Sequence, residues 1–205
     1  MKRREQILRR AAEAFAERGL ANTSLEEIAA SVGITREALY YYFKNRVEIL
    51  LEIIFPTSLS LYRGIKVVME GKGSSREKLK SALELHLSAF TPSYIEMSIA
   101  LREEHFHIDN PRVKELKRMW EEYGACWEAL IRQGVEEGIF RPDLDPKIAS
   151  YGILGMVNWV SRWYRAGQSA SIEEIGRTFF ILITQGLDVR EQPPKRRQKD
   201  NFTVL

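Results

Sequence analysis

Cysteine is nearly missing from this 205-residue chain: Cys126 stands alone, so no internal disulfide can close, and the reducing cytoplasm is the expected setting. Long apolar runs are missing as well. A membrane helix needs about 20 such residues, and the longest stretches, Ile49 to Phe55 and Phe179 to Ile183, stop well short, so a soluble protein with no membrane partner is expected. Met1-Lys-Arg-Arg-Glu has no apolar segment behind it, and no secretory leader is expected. There is no phosphate-cradling glycine loop and no local nucleophile motif around a serine, while Cys126 beside Trp127 reads as a core thiol. His105-Phe-His107, near Glu103, Glu104 and Asp109, lacks the four-residue spacing that sets two histidines on one helix face. Neither a metal nor another cofactor is therefore expected. Alternating strand patterns are also lacking, which leaves an all-α protein that is not an enzyme.

What charge there is sits at the ends. Net charge is only +3. Residues 1–46 hold nine Lys or Arg against six Asp or Glu, and residues 190–205 hold five against two, so the middle is acidic. Lys2, Arg3 and Arg4 read either as a solubilising start or as an arm reaching phosphate or a minor groove.

The stretch from Thr23 to Arg46 is the most informative in the chain. Ser24 with Glu27 three residues on forms a capping box, so a helix should begin at Leu25 with Leu25, Ile28, Ala29 and Val32 on its inner face. Gly33 follows, where a left-handed stop costs least. Thr35 then caps a second helix expected to reach Phe43, with Ala38, Leu39 and Phe43 inward and Arg36, Glu37, Tyr40, Tyr41 and Tyr42 around the rest. One apolar side docked and one polar side presented is what a helix-turn-helix needs to enter a major groove.

Arg4 to Leu51 resembles the N-terminal domain of the tetracycline-repressor (TetR) family. The match runs through Ala11, Ala14, Phe15, Arg18-Gly19, Thr23-Ser24, Ile28-Ala29, Val32-Gly33-Ile34-Thr35, Leu39-Tyr40-Tyr41-Tyr42-Phe43, Lys44-Asn45-Arg46 and Ile49-Leu50. Glu37 departs from it, because the family usually carries a small residue there, and a carboxylate repels phosphate unless it accepts from a cytosine amino group. The resemblance implies double-stranded DNA as partner. Carried over by position, Thr23 or Ser24 and the adjoining amide should meet phosphate, and Thr35 and Arg36 should lie at the groove. Tyr40, Tyr41 and Tyr42 should reach phosphates or thymine methyls, while Lys44 and Arg46 neutralise backbone.

Beyond Phe43 everything reads as helix, about nine in all. One should start near Asn45 and kink or break at Pro56 before Leu59, Leu61, Tyr62 and Ile65, ending at Gly71 to Ser75. Others should span Ser75 to Phe90, Thr91-Pro92 to Phe106, Asn110-Pro111 to Glu137, Pro146 to Ala166-Gly167, and a last one, capped by Ser171 and Glu174, to Gly186. This divides the chain into a helix-turn-helix DNA-binding domain (1–46), a ligand-binding and dimerisation domain (47–189) and a basic tail expected to be disordered (190–205).

The last two helices are apolar on more than one side, through Ile148, Tyr151, Ile153, Leu154, Met156, Val157 and Val160 and through Ile175, Phe179, Phe180, Leu182 and Ile183. A second copy of the chain is the expected cover, giving a homodimer whose last two helices form a four-helix bundle. Gly152 and Gly155 would allow close backbone approach there, unless they serve packing within one chain.

Large rings crowd the middle of the chain. Phe90, Met97, Phe106, Trp120, Tyr123, Trp127, Tyr151, Trp159 and Trp163 read either as core or as the lining of a cavity for a hydrophobic effector, with Asn158, Arg162 and Arg165 at helical spacing among them. Asn158 to Arg165, with Gly167 and Ser171 to Glu174, is similar to TetR-family members that respond to acyl coenzyme A thioesters. That resemblance implies an acyl chain inside and coenzyme A phosphates or adenine near Arg162, Trp163 and Arg165; the other reading pairs these arginines with Glu173 or Glu174 or sets them at the dimer rim. The function read from these features is a ligand-responsive repressor that binds a palindromic operator as a dimer and is released through a tilt of the helix carrying Pro56. The alternative is a DNA-binding protein that acts through a protein partner without an effector.

Overall fold

The computed structural model describes residues 2–88, 94, 98, 109–164 and 170–188. Among the described residues there are eight helices and no strand. The helix expected between Pro92 and Phe106 lies outside them apart from Tyr94 and Ser98, both helical, as do His105, His107 and the basic tail.

Helix α1 (Arg3–Arg18) buries Ile7, Ala11, Ala14 and Phe15 and stops at Gly19, whose φ of 80° is cheap only without a Cβ. Arg3 and Arg4 belong to its first turn rather than to a free arm. Arg3 donates to the Val32 carbonyl (3.1 Å), and Arg4 pairs with Glu52 (2.9 Å) over the Phe43 ring.

Helix α2 (Leu25–Ser31) starts at the expected reciprocal cap: Glu27 N–H donates to Ser24 Oγ (3.2 Å), and the Glu27 carboxylate accepts from Ser24 N–H (2.7 Å). Gly33, at φ 69°, turns the chain into α3 (Arg36–Tyr40), capped by Thr35. That helix is shorter than expected. The amides of Tyr42 and Phe43 both bond to the Leu39 carbonyl (2.9 and 3.0 Å), a tightened last turn that drops Phe43 into the core, while Ala38 stays exposed.

Helix α4 (Arg46–Glu70), capped by Asn45, is one 25-residue rod. Pro56 does not break it. The proline sits on the exposed side, and buried Ile54, Ser58, Leu61 and Ile65 hold the helix along its inner face, so the lost N–H is tolerated. Helices α5 (Ser75–Ser88) and α6 (Pro111–Glu136) flank α4, and α6 packs on it most extensively. Ser75 at the start of α5 donates through its amide and hydroxyl to Glu137 (3.0 and 2.8 Å), tying the two helices together.

Helix α7 (Pro146–Trp163) lies on α6, and α8 (Ile172–Leu187), capped as expected by Ser171 and Glu174, lies on α5. Helix α7 stops at Trp163, short of Ala166, and Tyr164 is already extended. Gly138, at φ 70°, reverses the chain after α6 and sends Phe140 back into a notch left by Gly134, where a Cβ would come within 2.0 Å of the ring. Arg141 N–H then donates to the Leu187 carbonyl (2.6 Å), so this loop also anchors the end of α8. None of the described helices is long and apolar enough to cross a membrane.

Candidate DNA-binding surface and effector cavity

The start of α2, the two end residues of α3 and the start of α4 meet around an open groove of about 430 Å3. It brings together six of the nine residues expected to face DNA: Thr23, Ser24, Arg36, Tyr40, Lys44 and Arg46. Their roles separate on inspection.

Arg36 is exposed, donates to the Tyr40 hydroxyl (2.8 Å) and pairs with Glu26; the tyrosine bond and then that carboxylate raise its pKa, so it is a permanent cation. Thr35 accepts from Ala38 N–H (3.2 Å) and is exposed, as is Lys44. Tyr41 is the most open ring on this face, at 86% exposure. Glu37 lies exposed beside Arg36, held anionic by its own backbone N–H and the Thr35 hydroxyl.

Three expectations need correction. Thr23 is fully buried, and its hydroxyl donates to the Gly19 and Ala14 carbonyls (2.9 and 3.3 Å), which leaves it no reach toward phosphate. Arg46 turns inward. Its Nη1 donates to the carbonyls of Leu20, Ala21 and Thr23 (2.9, 3.0 and 3.0 Å), closing the loop between α1 and α2 and fastening it to the first residue of α4. Tyr42 is half-buried against the core, with Tyr41 edge-on to it at 5.3 Å. Nothing in the local pattern separates an inward from an outward arginine two residues after Lys44.

In the second domain α4, α5, α6 and α7 line a cavity of about 240 Å3, open to the surface beside Tyr151, to which Tyr94 and Ser98 also contribute. Trp120, Tyr123, Tyr151 and Asn158 line it as expected. Trp127 does not: it is fully buried in the core, edge-on to His86 and Tyr123. Trp159, Arg162 and Trp163 are exposed and not among the lining residues, because α7 turns that face away from α6. Phe90, Met97 and Arg165 lie outside the described residues.

Sequence reasoning missed Ser58, Leu61, His86, Tyr94 and Ser98. Ser58 is a polar residue on the buried face of α4, and that was the available signal: its Oγ accepts from Trp120 Nε1 (3.2 Å) and lies 2.8 Å from the Tyr94 hydroxyl. His86 carried a similar signal, as a polar residue among apolar positions of α5. It is buried between Tyr123 and Asn158, and burial pushes its pKa down against the weaker opposing pull of Asn158, so the imidazole is neutral. Among the described residues no Lys, Arg, Asp or Glu lines the cavity.

A capped two-helix reader, fastened by one continuous helix to a helical domain with a cavity, defines a helix-turn-helix regulator of transcription. Residues 7–53 match the family described as bacterial regulatory proteins, tetR family, and residues 72–187 match the tetracyclin repressor-like C-terminal domain. The chain belongs to the TetR family. It is 29% identical over 186 residues to the HTH-type transcriptional repressor KstR2 of Mycolicibacterium smegmatis, covering 90% of both chains. Its structure superposes on that of the ketosteroid transcriptional regulator KstR2 of Mycobacterium tuberculosis with a TM-score of 0.81 and 25% identity, covering 92% of this chain and 96% of the other. The same fold recurs in AibR, solved in complex with isovaleryl coenzyme A and operator DNA, with a TM-score of 0.73 and 23% identity, covering 88% of this chain and 97% of AibR.

Proposed function

We propose that the chain is a homodimeric repressor that holds a palindromic operator and lets go of it when a hydrophobic small molecule, an acyl coenzyme A thioester, enters the cavity. One observation carries this reading: α4 is a single rod whose first residue, Arg46, clamps the reader and whose middle residues, Ser58 and Leu61, line the cavity. A ligand that favours one tilt of this rod shifts the spacing of two recognition helices and must lower DNA affinity by the ratio of its affinities for the two states. Ser24, Thr35, Arg36, Tyr40, Tyr41 and Lys44 form the DNA-facing surface in this reading, with Arg36 at base edges and Lys44 on phosphate.

Dimerisation uses the outer faces of α7 and α8. Ile148 (71% exposed) and Trp159 (64%) lie bare on α7, with open space over Gly152 and Gly155, and Ile181 and Leu182 are exposed on α8. Rings and aliphatic groups at that density on a free surface call for a partner, and two-fold pairing sets recognition helices one duplex turn, about 34 Å, apart.

In this reading the acyl part occupies the cavity and the nucleotide stays outside. Asn158 lines the cavity while Arg162, one helical turn on, is exposed, which offers a path from an apolar interior to a cation at the surface. That AibR holds isovaleryl coenzyme A in the same fold supports this choice. The test is a gel shift on operator DNA with octanoyl coenzyme A and free octanoate as control: release by the thioester alone is expected, and an undiminished complex across a series of chain lengths would falsify the effector.

A further inference from the structure

One wall of the cavity carries a chain of hydrogen bonds that runs in one direction. Asn158 Oδ1, 3.0 Å from His86 Nε2, can only accept, so that ring nitrogen carries the proton and Nδ1, 2.9 Å from the Tyr123 hydroxyl, is the acceptor. Burial raises the Tyr123 pKa, so the phenol stays protonated and donates. The sequence is therefore Tyr123 O–H to His86, and His86 N–H to the Asn158 carbonyl oxygen. Each of these residues comes from a different helix, α6, α5 and α7.

The chain ends on an unused donor. The Asn158 amide nitrogen, on the far side of the carboxamide from the oxygen that faces His86, makes no hydrogen bond to the described residues. Ser98 Oγ, which lines the same cavity, is buried without a hydrogen-bond partner. A buried hydroxyl left open costs about 1–3 kcal/mol, and a ligand oxygen facing both groups would complete it. A carboxylate is a poor candidate, because no cation lines the cavity among the described residues and an unpaired buried charge is far more costly than a neutral dipole.

Resting on the effector reading above, we propose that the cavity selects ligands by an uncharged oxygen acceptor, a thioester carbonyl or a ketone or hydroxyl oxygen within the acyl part, bound by the Asn158 amide and the Ser98 hydroxyl. His86 is the positioning residue that fixes which way Asn158 faces. Free acids and ligands lacking the oxygen are rejected although their apolar portions fit.

The experiment uses the intact chain and three probes of one length: octanoyl coenzyme A, the thioether S-octyl coenzyme A, which lacks the carbonyl, and octanoate. Binding is read by quenching of tryptophan fluorescence, since Trp120 lines the cavity. The thioester should bind about tenfold more tightly than the thioether, the worth of one good hydrogen bond, with octanoate weaker still. In Asn158→Leu the preference for thioester over thioether should collapse while affinity for the thioether holds; in His86→Gln it should shrink. A variant that merely loosened the fold would weaken both probes alike, and that result would overturn the assignment. So would equal binding of thioester and thioether, equal binding of octanoate, or binding of none. Operator release, measured separately, keeps the two readings apart: thioester and thioether releasing DNA equally sinks the acceptor rule alone, whereas selective binding without release sinks the repressor mechanism alone.

Discussion

In the reader, Thr23, Ser24, Thr35 and Arg46 all direct their side chains to backbone groups within the first 46 residues. In the cavity domain the reverse holds: the buried Ser98 hydroxyl makes no hydrogen bond, and Ile148 and Trp159 lie bare on the surface. The first pattern suits a part that must arrive at DNA already shaped, because each internal bond made beforehand is disorder that need not be removed on binding. The second suits a part completed by other molecules, one from inside and one from outside. Helix α4 belongs to both, which is why a change in the incomplete half can be felt by the finished one.

The contrast can be broken at its strongest point by emptying the notch beside Gly134. Phe140→Ala should cost about 3–5 kcal/mol in urea unfolding, the range for a fully buried ring lost to a cavity, and a cost below about 1 kcal/mol would mean the loop is not what anchors α8. Opening the outer face is the next largest change. Trp159→Arg should shift sedimentation to a monomer and lower operator affinity by about 10²-fold, because one half-site then binds alone; a dimer that persists would place the interface elsewhere.

Within the reader, Arg36→Ala should lower operator affinity about tenfold and relax discrimination at one base pair, measured by binding to a panel of single-base variants. Ser24→Ala removes half of a capping box and should lower thermal stability by about 1 kcal/mol, seen as a lower melting temperature. The smallest effect belongs to Lys44→Ala, which should weaken all sequences alike and flatten the salt dependence of binding by about one unit of slope. If Lys44→Ala changed sequence preference instead, the division between base and phosphate contacts would be wrong.

How far the sequence could be read varies with the distance between partners. Ser24 with Glu27, Gly33, Thr35, Asn45, Asn110 and Ser171 with Glu174 all act on groups within a few residues, and the structure has each of them where the pattern put it. Tyr40 as the end of α3 was not legible, because the tightened turn depends on Phe43 reaching a core built by α1 and α4. Of the kink or break that Pro56 predicts on propensity alone, the break is overridden by packing along the opposite face of α4. Trp127 and Trp159 look alike as rings on helices, yet one is fully buried and the other is 64% exposed.

The chain by itself determined the helices, their caps and the capped two-helix reader, since periodicity and capping are satisfied by neighbours three or four residues away. Only the tertiary structure decided that Arg46 and Thr23 turn inward, that Ser58 and His86 face a shared void, and that Arg162 does not. Those outcomes depend on which faces of helices, separated by scores of residues, come to rest against each other, and no local pattern encodes that choice.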